Sequence, residues 1–216
     1  MPSRATITIK LLENDKIIQR KILMGIAREM NARFRRSKPR IVSAVKGLVG
    51  DIIKDQPEIK ELSGGILQAA FGIRKGKEST AIENIIEAIA ESVLVELKEV
   101  RQVGSKVLKG GMSIYIQPER LSNLLNIPSG IVKSEKGQLL PWLSWLLLAG
   151  DKILIADYEV EYKSGTGRSG LATMKPASGM FRVPPSYSGT VNNNFITRAF
   201  NGTENILARI IRTNLR

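Results

Sequence analysis

From residue 18 to residue 34 an apolar side chain stands at every fourth position, as Ile18, Ile22, Ile26, Met30 and Phe34, with Leu23 and Ala27 beside them. That spacing lies along one face of an α-helix. Asn14 is suited to cap such a helix, so the pattern predicts a helix over about 15–36 with one continuous buried stripe. Ser37-Lys38-Pro39 then interrupts it. Proline suits the first turn of a helix rather than its interior. This predicts a second helix over 39–55, whose face is Ile41, Val42, Val45, Leu48, Val49, Ile52 and Ile53. Gly47 and Gly50 each cost that helix about 1 kcal/mol relative to Ala; close approach of another helix is the reason to have them.

A third helix is predicted over 80–97. Thr80-x-x-Glu83 has the form of a capping box, and Ile82, Ile85, Ile86, Ile89, Val93 and Leu94 make the apolar face, with Glu83, Glu87 and Glu91 opposite. Residues 63–76 read as a Gly-rich connector holding a strand or short helix around 66–73. An early strand is expected at 5–11. After residue 105 the pattern turns to two-residue alternation, through 106–117, 152–162, 172–174 and 180–183. A short, almost wholly apolar helix at 139–149 is expected to be buried on all sides. A last helix spans about 195–212, with Gly202-Thr203 as its break. Helices first, then strands, then a helix indicate α+β rather than a doubly wound sheet: N-terminal helices at about 15–36, 39–55 and 80–97 packed with a small antiparallel C-terminal sheet and a final helix. The parts are a mainly helical, basic 1–104 and a β-rich 105–216, or one single domain.

The chain has neither histidine nor cysteine. This removes the Ser–His–Asp triad, the imidazole base, the thiol nucleophile, disulfides and the usual zinc centres. No carboxylate constellation replaces them, so the sequence points away from an enzyme and away from cofactors and metals. The start is not a signal peptide. The apolar stretch Gly137–Gly150 has fourteen residues, short of the ~18–20 a membrane span needs. A cytosolic, non-membrane protein is expected.

Lys and Arg number 33 against 20 Asp and Glu, a net charge of +13. Residues 16–40 hold nine basic groups against the single acid Glu29, for +8, and residues 198–216 hold four against Glu204, for +3. Phe34 is the only aromatic in the first of these segments, and no ribonucleoprotein or helix-turn-helix signature accompanies it. A solvated helix face, an acidic protein partner and nonspecific phosphate contact all fit. The candidate interface residues here are Arg28, Arg33, Arg35 and Arg36.

Two glycine motifs fail on context. Gly165-x-Gly167-x-x-Gly170 has the spacing of a dinucleotide loop but runs into a strand, where that loop needs a helix. It reads as a hairpin loop with Arg168 at its tip, available to a partner. Gly72-Ile-Arg-Lys-Gly-Lys-Glu has neither the spacing nor the hydroxyl of a phosphate loop. Asp157, Glu159 and Glu161 alternate on one strand face. They suit solvent or a basic partner, such as the basic helix of a neighbouring copy in a head-to-tail ring, better than a metal. Trp142 and Trp145, three apart on one helix, are either core residues or a subunit anchor.

The segment 137–200 carries a longer pattern: Gly137-x-Leu-Leu-Pro-Trp-Leu-x-Trp-Leu-Leu-x-x-Gly150, the strand to Tyr162, Gly167-Arg-Ser-Gly170, Arg182-Val-Pro-Pro185, Gly189-Thr190 and Asn194-Phe-Ile-Thr-Arg-Ala199. This string resembles virion structural proteins of large tailed phages, particularly cyanobacterial ones. The layout of the N-terminal half, basic helix, second helix, then Ser63 to Ile73, is similar to phage neck and tail-completion proteins. The resemblance implies a non-enzymatic head–tail connector component, assembled in the host cytoplasm into the virion. Its partners would be copies of itself in a ring around the DNA channel and portal, adaptor or tail-terminator subunits, with nonspecific proximity to DNA. It carries over no functional residue. The alternatives are a tail terminator or baseplate component, or a non-viral nucleic-acid-binding protein using the basic helix.

Overall fold

A computed structural model describes residues 14–116, 122–134 and 136–215; the strand expected at 5–11 lies outside them. The fold is α+β. Its first element, α1, is a single helix of 40 residues, Asp15–Lys54, about 60 Å long. Asn14 caps it, its side chain accepting from the Lys16 N–H at 3.0 Å. The break expected at Ser37-Lys38-Pro39 does not occur, and the two helices of 15–36 and 39–55 are one. Pro39 removes the hydrogen bond to the Arg35 carbonyl and costs about 3 kcal/mol in a helix interior. Against that, Ile41, Val45, Val49 and Ile53 are each fully buried on one face, worth about 2 kcal/mol apiece. Pro39 and Arg35 are exposed, so water reaches the orphaned carbonyl.

Three short helices follow: α2 (Pro57–Leu62), with Pro57 in its first turn, α3 (Ile66–Phe71) and α4 (Glu78–Glu91). The helix expected over 80–97 is shorter at its C-terminal end. It starts at Glu78 with no side-chain cap, so Thr80 lies inside the first turn and is not the cap. It stops at Ser92, whose hydroxyl donates to the Ile89 carbonyl at 2.6 Å. Val93 and Leu94 belong to a strand, because Val93 and Val95 are buried while Leu94 and Glu96 are exposed, a period of two that the helical reading missed.

That strand, β1 (Val93–Val103), pairs antiparallel with β2 (Val107–Ile116). The hairpin crosses the expected division at 104. Beyond it come α5 (Ser122–Leu125), the two-residue strands β3 (Val132–Lys133) and β4 (Leu139–Leu140), and α6 (Trp142–Leu148). The helix expected at 139–149 is thus shorter, because Leu139 and Leu140 pair with β3, and it is not buried on all sides: Leu139 is exposed and Trp145 and Leu148 are half-buried. A second long hairpin joins β5 (Ile155–Tyr162) to β6 (Ala172–Phe181), so the two short strands expected at 172–174 and 180–183 are one, paired along its length with β5. Among the described residues the β structure is therefore three two-stranded antiparallel ribbons. The chain ends in α7 (Phe195–Ala199) and α8 (Glu204–Asn214), broken at Gly202 as expected.

One apolar cluster joins the C-terminal half of α1, α2 to α4, the start of β1, α6 and α7. Trp142 has no exposed surface; its ring stacks on Phe71 with centroids 5.5 Å apart, and its Nε1–H donates to the Ser129 carbonyl at 3.1 Å. A polar exception lies beside this core. The Glu58 side chain is buried, and its Oε1 accepts from Arg198, whose guanidinium also donates to Asn193 at 3.1 Å. The second oxygen of Glu58 has no hydrogen-bond partner.

Two stability changes follow, both read by urea denaturation. Pro39→Ala restores a helical hydrogen bond and stabilises the chain by about 1–3 kcal/mol; a neutral or negative change would mean that the helix really breaks there. Arg198→Ala strands a buried carboxylate and costs about 2–3 kcal/mol, more than Glu58→Gln, which keeps an acceptor facing the arginine.

Candidate interaction surface

The apolar row that defines α1 in the sequence is not buried along its length. Ala27 and Ser37 are the only buried residues of α1 before Ile41. Ile22, Ile26 and Met30, each one turn from the next, are 56%, 45% and 36% exposed, while Ile18, Leu23 and Phe34 are half-buried. The expectation of a continuous buried stripe over 18–34 therefore fails. This half of α1 runs beyond the core, and the β1–β2 hairpin lies alongside it.

The hairpin is held by a bulge. Pairing runs Lys98 with Gly111, then Arg101 with Lys109, leaving Glu99 and Val100 opposite Gly110 alone. A Cβ on Gly110 would lie 2.5 Å from the Glu99 carbonyl oxygen, so this position requires glycine. The bulge turns Val100 inward. Asn31 then grips its backbone twice: the amide donates to the Val100 carbonyl at 2.9 Å, and its oxygen accepts the Val100 N–H at 2.8 Å.

Beside this clamp an open groove of about 1170 Å³ runs between α1 and the hairpin. Among the described residues its cations are Lys16, Arg20, Arg28 and Arg35 from the helix and Arg101 and Lys106 from the hairpin, against Asp15 and Glu99. The helical residues were legible as a basic segment. Arg101 and Lys106 were not, because only the bulge and the Asn31 clamp bring the hairpin alongside.

The other predicted residues divide. Arg33 donates to Glu29 at 2.8 Å and Arg36 lies 3.7 Å from it; Arg35 meets Glu99 at 3.1 Å. The hydrogen bond from Arg33, then its charge, hold the Glu29 carboxyl below its ordinary value. All of these groups are more than half exposed, so the pairs orient side chains and add little stability. Trp142 is shut in the core. Trp145 is half-buried, edge-on to Phe181 with centroids 6.3 Å apart.

The acidic strand face is broken up. Asp157 sits at an irregularity of β5 with φ +61°, Lys175 stands across from Glu159, and Lys175 forms an ion pair with Glu161. Desolvation raises the Tyr162 phenol above its ordinary value. Arg168 does not stand clear at a loop tip; it folds back and donates to the Lys133 carbonyl.

Among the described residues no three acidic side chains are placed to hold a metal, and no helix is long and apolar enough to cross a membrane. In comparisons with known proteins, the chain matches no family model, no curated protein and no solved structure.

Asn31→Ala leaves the buried-side N–H and carbonyl of Val100 without their partner. It should cost about 1–3 kcal/mol and loosen the hairpin, seen as faster amide hydrogen exchange across 93–116 with the α4 amides unchanged.

Proposed function

We propose that this chain is a non-catalytic structural subunit that assembles through the N-terminal half of α1. The observation that carries this reading is the exposed row Ile22, Ile26 and Met30 on a helix that outruns its own core. Apolar rows of this kind on a rigid helix are what subunit packing covers. We infer further that its setting is the virion of a tailed phage, as a head–tail connector or neck component built into or onto a ring around the DNA channel. The support is the resemblance over 137–200. The residues that carry it do structural work together: Trp142 in the core, Gly189 packed where a Cβ would lie 2.8 Å from the Leu146 carbonyl, and Asn194 closing a capping box with Thr197.

The basic groove favours one other reading, a nucleic-acid-binding protein that lays a phosphate backbone between α1 and the hairpin. Among the described residues, six cations against two acids give it the charge for that. It lacks the aromatic side chains that hold single-stranded bases, so any such contact would be sequence-independent.

Size-exclusion chromatography with light scattering, on nuclease-treated and salt-washed protein, tests these readings. The wild type should run as a closed oligomer of the 23.8 kDa chain. The double variant Ile22→Glu, Ile26→Glu should run as a monomer with stability changed by about 0.5 kcal/mol or less, as for surface sites. A monomeric wild type would sink autonomous assembly. Nucleic acid retained through the wash, with affinity falling log-linearly with salt, would support the second reading.

A further inference from the structure

A second, smaller cavity lies away from the α1 groove. It has a volume of about 300 Å³ and is bordered by the loop leading into α4, by the 3₁₀ turn Pro128–Gly130 with β3, and by the β5–β6 loop. Arg74 and Lys77 come from the first of these, Lys133 from β3 and Arg168 from the last. Four cationic side chains thus meet from segments separated by up to 94 positions in the chain. Among the described residues no carboxylate lines the cavity.

Its interior is built for a ligand with both a charged and an uncharged part. The hydroxyl residues Thr80 and Ser129 line it. Its floor includes the buried Ile73 and Ala81. The first turn of α4 borders it without a side-chain cap; Glu78 stands in that turn but does not line the cavity. The walls are positioned rather than loose. Arg168 donates to the Lys133 carbonyl and lies over Gly72, where a Cβ would be 3.3 Å from its Nη2. Gly72 ends α3 with φ +64°, a conformation that also favours glycine. Ser129 is oriented by Asn84, whose amide donates to its hydroxyl at 2.5 Å.

We propose that this cavity binds a small phosphorylated molecule, with the phosphate between Arg74, Lys77 and Lys133 and the uncharged body over Ile73 and Ala81. The volume stands at the small end of ligand pockets, which are about 300–1,000 Å³. It is of the size of a mononucleotide phosphoester. Arg74, Lys77 and Lys133 present cationic donors at one concave place, and a phosphate accepts charge-assisted hydrogen bonds from each. The Gly72–Lys77 loop is thus an anion-site element without being a magnesium-binding phosphate loop. The cavity forms within one chain, so its test is independent of assembly.

Isothermal titration and thermal melting of the full chain with inorganic pyrophosphate and with AMP, against sodium chloride at matched ionic strength, decide it. Saturable binding and a raised melting temperature beyond the salt control are expected. Affinity should fall at least tenfold in Arg74→Gln, Lys133→Gln and remain unchanged in Lys16→Gln, Arg20→Gln, which alters the α1 groove instead. All four positions are exposed; should the first pair nevertheless fail to fold, Lys77→Gln serves as the second variant. A response no greater than that to chloride, equal losses in both pairs, or binding only of a DNA oligonucleotide that depends on Lys16 and Arg20 would each overturn the proposal.

Discussion

The rest of the molecule depends on one helix being buried at one end only. Ile41, Val45, Val49 and Ile53 seat the C-terminal half of α1 in the core, where Lys46 also reaches Glu91 of α4 at 2.6 Å. That seating is strong enough to carry the helix through Pro39. Because an α-helix transmits its direction rigidly over several turns, the N-terminal half then projects beyond the core that the described residues form. Its apolar row is left open and its cations are displayed on a straight scaffold.

The β1–β2 hairpin turns that projection into a shaped surface. A glycine-dependent bulge aims Val100 inward, and Asn31 satisfies both of its backbone polar groups. Neither contact is large in area. Their effect is to fix the position of Arg101 and Lys106 relative to the cations of α1, which makes a groove from what would otherwise be a row of charges. A channel that passes DNA is poorly served by tight phosphate binding, since each contact adds affinity and salt dependence. The assembly reading therefore places weight on the apolar row and gives the groove a secondary role.

Much of the local structure was legible. The core of α4, the strand β5 with the glycine loop after it and the break at Gly202 follow from short-range spacing, whereas β6 was legible only as two short pieces and α6 only as a longer helix. So does the rejection of the dinucleotide motif, since a strand does follow Gly170. The failures share a cause. Val93 and Leu94 fit a helical face and a strand equally well over so few residues. Pro39 was read by its local rule, whereas the burial of Ile41, Val45, Val49 and Ile53 on its C-terminal side outweighed that rule. Trp142 had two readings, and only its neighbours Phe71 and Ser129 chose between them; Arg168 was read at a loop tip, and its contacts with Gly72 and Lys133 fold it back instead.

The chain's α+β class, its lack of imidazole and thiol chemistry, and the concentration of positive charge in residues 16–40 were determined by the sequence by itself, because composition and periodicity act within a few turns of chain. The tertiary structure alone decided which apolar face is covered and which cations converge. Arg74, Lys133 and Arg168, or Arg28 and Arg101, are far apart in sequence, and their meeting depends on how ribbons and helices are stacked. Such long-range placement is settled by the summed burial of many side chains, and no single residue pattern records that sum.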